Sequence, residues 1–259
     1  AWIIGAGLVA CVNDGLMTSP QGSELGVPSH ASQGLLNNRR SIEVAANFPF
    51  KKVLAFGDSL TIGVTQRSGS GLSGAHSVLT TVEGYVPKLW RLMEEKYGTG
   101  IRFVTEGIGA ENSREALDRI DTFIHRHDPD LVLILSGIVD VNVALPLVPR
   151  FPIVRSSVAE MMRIVLLRGK VPVIGTYPSP NPDGFRVGAV EHIERLNHVI
   201  RQEAKAKDVL IADHEADSYK DYRGQGADGL HPNNIGYERM AQSWFNQIEE
   251  ALERKGFTQ

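Results

Sequence analysis

A chain of 259 residues with 42% hydrophobic and 22% charged content has the composition of a globular protein of one or at most two domains. A formal net charge of −3, with no stripe of Lys or Arg to neutralise successive phosphates, argues against nucleic acid as a partner. The single cysteine, Cys11, excludes an intrachain disulfide, and no Cys/His spacing resembles a zinc or haem site, so neither metal nor cofactor is expected.

Residues 1–11, AWIIGAGLVAC, form an apolar, small-residue run. It is too short to cross a bilayer as a helix and has the length of a signal-peptide core. Leu8-Val9-Ala10-Cys11 resembles the lipobox of bacterial lipoproteins, in which small residues precede a cysteine that receives lipid through its thiol. The expectation is a truncated lipoprotein signal segment ending at Cys11 and an extracytoplasmic protein, lipid-anchored or secreted. An ordinary secretory leader and a buried N-terminal segment are the alternatives. Residues 12–47 are Gly/Ser/Asn-rich with little periodicity and read as a flexible linker, leaving 48–259 as the folded domain.

Within that domain, short runs rich in Val, Ile and Leu alternate with segments of helical period. This is the pattern of a parallel sheet covered on both faces. Strands are expected at Val53–Phe56, Ile101–Thr105, Leu131–Leu135, Val171–Thr176 and Val209–Ala212. Helices are expected at Tyr85–Tyr97, Ser113–His127, Ile153–Leu167, Val187–Lys205 and Ile235–Leu252, each with apolar residues three and four apart. In the first helix Val86, Leu89, Trp90, Met93 and Tyr97 make a core stripe; in the last, Tyr237, Met240, Ala241, Trp244, Phe245 and Ile248 do so. The Gly/Ser-rich segment Thr61–Thr81 follows the first strand and reads as a mobile loop bordering the site, because open parallel sheets bind ligands at the strands' carboxyl ends. His76, His192, His198 and His214 have no metal-site spacing, His125 and His127 lie on the exposed end of a helix, and all six are expected at the surface.

The stretch Lys51–Thr61, KKVLAFGDSLT, puts Ser59 at the carboxyl end of the first strand, where a tight turn can expose a hydroxyl. A serine there can also simply cap the next helix. Near the other end, Asp228-Gly229-Leu230-His231-Pro232 places a carboxylate and an imidazole three residues apart, able to face one side of a loop. A serine hydroxyl becomes a nucleophile when an imidazole takes its proton and a carboxylate fixes that imidazole's tautomer. Together these residues resemble the GDSL/SGNH family of serine esterases and lipases, with Ser59, His231 and Asp228 as the triad. The similarity continues through Asn233–Ala241 and spans nearly all of 48–252.

The resemblance implies a three-layer α/β/α, flavodoxin-like SGNH hydrolase fold with a five-stranded parallel sheet in the order 2-1-3-4-5. It also implies an oxyanion hole built from two middle blocks, and both depart from the family pattern. Thr105–Ser113 resembles the second block, but Ala110 stands where a glycine N–H is expected; alanine keeps that donor provided its backbone angles are tolerated. Ser136–Asn142 resembles the third block, Gly-x-Asn-Asp, yet Val139 stands at the Asn, and an isopropyl group donates no hydrogen bond. The expected oxyanion donors are the N–H groups of Ser59 and Ala110, with Asn142 as a further candidate that otherwise shapes the loop. Asp140 either bonds backbone groups between this block and the nucleophile turn or caps a helix or turn.

The implied activity is hydrolysis of short acyl or O-acetyl esters, small-molecule or carbohydrate, through an acyl-Ser59 intermediate. Fold and triad do not choose among such substrates. Two other readings stand beside it: a ligand-binding lipoprotein with weak or no activity, and an acyltransferase in which a sugar hydroxyl replaces water.

Overall fold

The computed structural model describes residues 48–67, 78–81, 83–98, 100–142, 150–184 and 190–257, with backbone alone for 66–67 and 78–81. The leader ending at Cys11, the linker to residue 47, His76 and the centre of the Thr61–Thr81 segment lie outside the described residues.

Among the described residues seven strands form: β1 (Lys52–Gly57), β2 (Val64–Arg67), β3 (Val78–Thr81), β4 (Arg102–Gly107), β5 (Leu131–Leu135), β6 (Val171–Gly175) and β7 (Leu210–Ala212). Five of them make one sheet in the order β4-β1-β5-β6-β7, all parallel, which is 2-1-3-4-5 when only these strands are counted. Val53–Phe56 and Leu131–Leu135 are 0% exposed, as expected of strands covered on both faces. The edge strand β4 is only partly buried.

Helices α1 (Tyr85–Tyr97) and α7 (Asn234–Arg254) pack together on one side of the sheet; α2 (Ser113–His127), α4 (Phe151–Leu167) and α5 (Val190–Ala206) pack in series on the other. Two single-turn helices, α3 (Ile138–Val141) and α6 (His214–Asp217), follow β5 and β7. Sequence chemistry explains the helix starts. Asn112 and Glu115 form a reciprocal capping box at α2, and the Asn233 side chain accepts from the Ile235 and Gly236 N–H groups at α7. Ala116, Ile120 and Ile124 then bury one stripe of α2. All six residues of the expected α7 stripe are buried; in α1 four of the five are, and Trp90 is half-exposed.

One local expectation is corrected. The two ends of the Thr61–Thr81 segment are not loop: β2 and β3 pair antiparallel, Val64 opposite Thr81 and Arg67 opposite Val78. Val and Thr on these arms favour extended backbone. The Tyr237 hydroxyl pins the base of the ribbon by donating to the Val64 carbonyl at 2.5 Å.

Register places the functional turns. Gly57 at the end of β1 lies level with Gly107 on β4 and Leu135 on β5, so the loops leaving all three strands emerge side by side. The sheet order reverses at β1, where an open α/β sheet leaves a crevice.

Candidate active site

The chain leaves β1 in a tight turn. The Asp58 side chain accepts from the Leu60 N–H at 2.9 Å, and the Asp58 carbonyl accepts from the Thr61 N–H at 3.1 Å. This Asx-type bond turns the backbone so that Ser59 is half-exposed while Asp58, Leu60 and Thr61 are buried. The turn sits directly on β4: a Cβ at Gly107 would lie 2.6 Å from Ile62 Cγ2 and 3.0 Å from the Asp58 carbonyl.

The loop before α7 brings the second half of the site to Ser59. Ser59 Oγ and His231 Nε2 are 3.0 Å apart, across 172 positions of sequence. His231 Nδ1 lies 2.6 Å from Asp228 Oδ2, while Asp228 Oδ1 accepts from the Leu230 and His231 N–H groups at 3.0 and 2.9 Å. Asp228 is fully buried, which by itself raises a carboxyl pKa; the bonds from His231 and Leu230 outweigh it and hold the group below its usual value. Asp228 is therefore a buried carboxylate that orients the imidazole. Gly229 makes the corner between them: its φ is +78°, and a Cβ there would lie 2.5 Å from the Asn181 carbonyl. Ser59, His231 and Asp228, expected together from sequence, are together.

The remaining turns are less complete. Ala110 adopts φ +62°, a left-handed conformation that suits glycine, and is exposed. Among the described residues, neither the Ser59 nor the Ala110 N–H donates to a protein acceptor. Val139 lies in α3, half-buried and packed against the core. Asn142 ends that turn, its N–H donating to the Ile138 carbonyl at 2.8 Å.

Asp140 takes the second of its two expected roles: its Oδ2 accepts from the Ser113 N–H at 2.7 Å, satisfying an open donor at the start of α2 and tying the third block to the second. Several histidines differ from expectation. His214 is not at the surface but 2% exposed, packed edge-on against Trp244 with ring centroids 5.0 Å apart. The space comes from Gly175, where a Cβ would meet both rings at 2.8–3.0 Å, and burial pushes the His214 pKa down to about 3. His127 is half-buried, stacked on Phe123 and 2.7 Å from Glu106. His192 is half-buried against Phe151, whereas His125 and His198 are exposed. Among the described residues no group of three or more His, Cys, Asp or Glu is placed to hold a metal ion.

Two supporting pairs carried no sequence signal strong enough to assign. Arg119 pairs with buried Glu111 at 2.5 and 2.6 Å, donates to the Gly57 and Glu106 carbonyls, and lies over the Phe56 ring, joining the ends of β1 and β4. Asp58 stands inside the FGDSL motif but shows its role only in three dimensions. It is 1% exposed, its Oδ2 accepts from the Tyr177 hydroxyl at 2.5 Å, and burial pushes its pKa up to about 6 despite that bond.

A parallel α/β/α sheet whose first strand delivers a serine to a His–Asp pair at the strands' carboxyl ends defines a serine hydrolase. The sequence model of the GDSL-like lipase/acylhydrolase family matches residues 55–239. The chain belongs to that family. It is 29% identical over 141 residues to a multidomain esterase of Ruminococcus flavefaciens, a match that spans 50% of this chain but only 17% of that protein. Among solved structures it resembles a lipase/acylhydrolase from Enterococcus faecalis, with TM-score 0.64, 18% identity, and coverage of 77% of this chain and 96% of the other. It also resembles an acetyl xylan esterase from Geobacillus stearothermophilus, with TM-score 0.61, 23% identity, and coverage of 76% and 94%. At these identities the structural likenesses establish the shared fold.

Proposed function

We propose that the protein hydrolyses short acyl or O-acetyl carboxylic esters through an acyl-Ser59 intermediate. The observation that carries this reading is the continuous chain Ser59 Oγ, His231 Nε2, His231 Nδ1 and Asp228 Oδ2, with steps of 3.0 and 2.6 Å. In acylation, His231 Nε2 takes the Ser59 proton as Oγ bonds to the ester carbonyl carbon, and the carbonyl pair moves onto oxygen. The Ser59 and Ala110 N–H groups receive that oxyanion. Collapse expels the alkoxide, which leaves with the proton from His231. Water, deprotonated by the same nitrogen, then releases the acid and regenerates Ser59.

The multidomain esterase among the similar proteins supports ester hydrolysis, and the acetyl xylan esterase supports O-acetylated carbohydrate as the substrate class. The Leu8–Cys11 lipobox supports a site of action outside the cytoplasm, with the domain of residues 48–259 tethered through Cys11 and the 12–47 linker. Val139 favours a second reading, a binding protein that kept the triad but lost the side-chain donor.

Hydrolysis of p-nitrophenyl acetate separates the two. The enzyme reading requires turnover by the wild type that falls by at least about a thousandfold in Ser59→Ala. Equal, slow rates in both would support the binding protein. An added sugar acceptor that diverts the acetyl group into a new ester would identify transfer in place of hydrolysis.

A further inference from the structure

Asp58 is a buried carboxylate next to the nucleophile, and among the described residues no Lys or Arg pairs with it. One oxygen accepts from the Leu60 N–H, the bond that shapes the Ser59 turn, and the other accepts from the Tyr177 hydroxyl. Tyr177 follows β6 and is 1% exposed, so its hydroxyl is fixed. Its backbone is clamped on both sides by Asn197 of α5, which accepts from the Tyr177 N–H at 2.8 Å and donates to its carbonyl at 2.9 Å. One phenol therefore joins the start of the turn after β1, through Asp58, to the backbone that leaves β6 and is clamped by α5.

We propose that Tyr177 is a positioning residue for the nucleophile: acting through Asp58, its hydroxyl holds the Ser59 turn so that Oγ meets His231 and the Ser59 N–H stays open to the oxyanion. A buried phenol needs a partner in any core, but a purely structural Tyr would not choose the one carboxylate whose second oxygen sets the nucleophile turn. The contact is charge-assisted, and so among the stronger neutral-donor bonds a turn can receive. With only two backbone N–H groups assigned to the oxyanion, a displacement of Ser59 misaligns both its nucleophilic oxygen and half of that donor set.

The proposal rests on the esterase reading, and the test keeps the two apart. Tyr177→Phe removes the hydroxyl and keeps the ring. It is expected to lower kcat for p-nitrophenyl acetate at least about tenfold while KM stays within about twofold, because substrate contacts are untouched. The rate of Ser59 phosphonylation by a fluorophosphonate should fall in parallel. Asp58→Asn gives a second arm that preserves an acceptor for the Leu60 N–H. If Tyr177 acts through Asp58, the double variant is no slower than the slower single variant. Wild-type kcat in Tyr177→Phe, a change confined to KM, or independently multiplying losses in the double variant would each overturn the proposal while leaving the esterase reading intact. A wild type that neither hydrolyses nor labels overturns both.

Discussion

The nucleophile turn and the oxyanion turns emerge side by side from β1, β4 and β5, yet they are held differently. Around Ser59 nearly everything is over-determined: a buried Asp58 with two donors, a close contact at Gly107, and a base whose own carboxylate is fully buried. In the turns proposed to hold the oxyanion, Ala110 sits exposed in a left-handed conformation and Val139 packs against the core. On the proposed mechanism, the contacts that place the nucleophile and the donors that stabilise the developing charge are physically separable. The first depends on buried polar contacts that fail together, whereas the second is a set of donors that can be thinned one at a time.

The largest effect is expected on the over-determined side. Asp228→Asn would leave the loop's shape but offer His231 Nδ1 an amide in place of a carboxylate, favouring the wrong tautomer. Steady-state kinetics should show kcat lower by about ten-thousandfold, the size known for this change in other serine hydrolases. A loss of less than about tenfold would mean that Asp228 orients the loop and not the base.

Next comes a pH effect at Asp58. Its folded-state pKa of about 6 lies above the ordinary 3.8, so the folded protein binds this proton more tightly than the unfolded chain. The stability it contributes is full below about pH 3.8 and is lost as pH rises through about 6. Denaturant titrations should show wild type losing about 3 kcal/mol relative to Asp58→Asn across that window. His214 has the opposite sign, its pKa being pushed down to about 3, but it cancels because it is common to both proteins.

On the thinner side, Val139→Asn should raise kcat for p-nitrophenyl acetate by about tenfold or more, since one oxyanion donor is worth roughly a hundred- to a thousandfold and the half-buried position loses some packing. No gain would show that the position does not face the oxyanion. The smallest effect belongs to Ala110→Gly, which relieves the φ of +62° and should stabilise the fold by about 0.5–1 kcal/mol after the added flexibility of the unfolded chain, with kcat little changed.

The architecture was legible because its signals are local. Strand runs such as Leu131–Leu135 are apolar throughout, and α1 and α2 begin and end where periodicity and capping residues place them. Ser59, Asp228 and His231 were legible because each lies in a short motif, Gly-Asp-Ser or Asp-x-x-His. What escaped was set by tertiary packing. His214 looks like a loop histidine until Gly175 and Trp244 are seen to make room for it. The β2–β3 ribbon hides at the two ends of a Gly/Ser-rich segment. Tyr177 meets Asp58 across 119 positions with no motif to link them.

Active-site labelling reads whether His231 makes Ser59 nucleophilic, without reference to any natural substrate. The intact protein, treated with a fluorophosphonate and analysed by peptide mass spectrometry, should carry one adduct, on the peptide containing Ser59, and His231→Ala should lose it. Labelling of another residue, or labelling of Ser59 at the same rate in His231→Ala, would contradict the account.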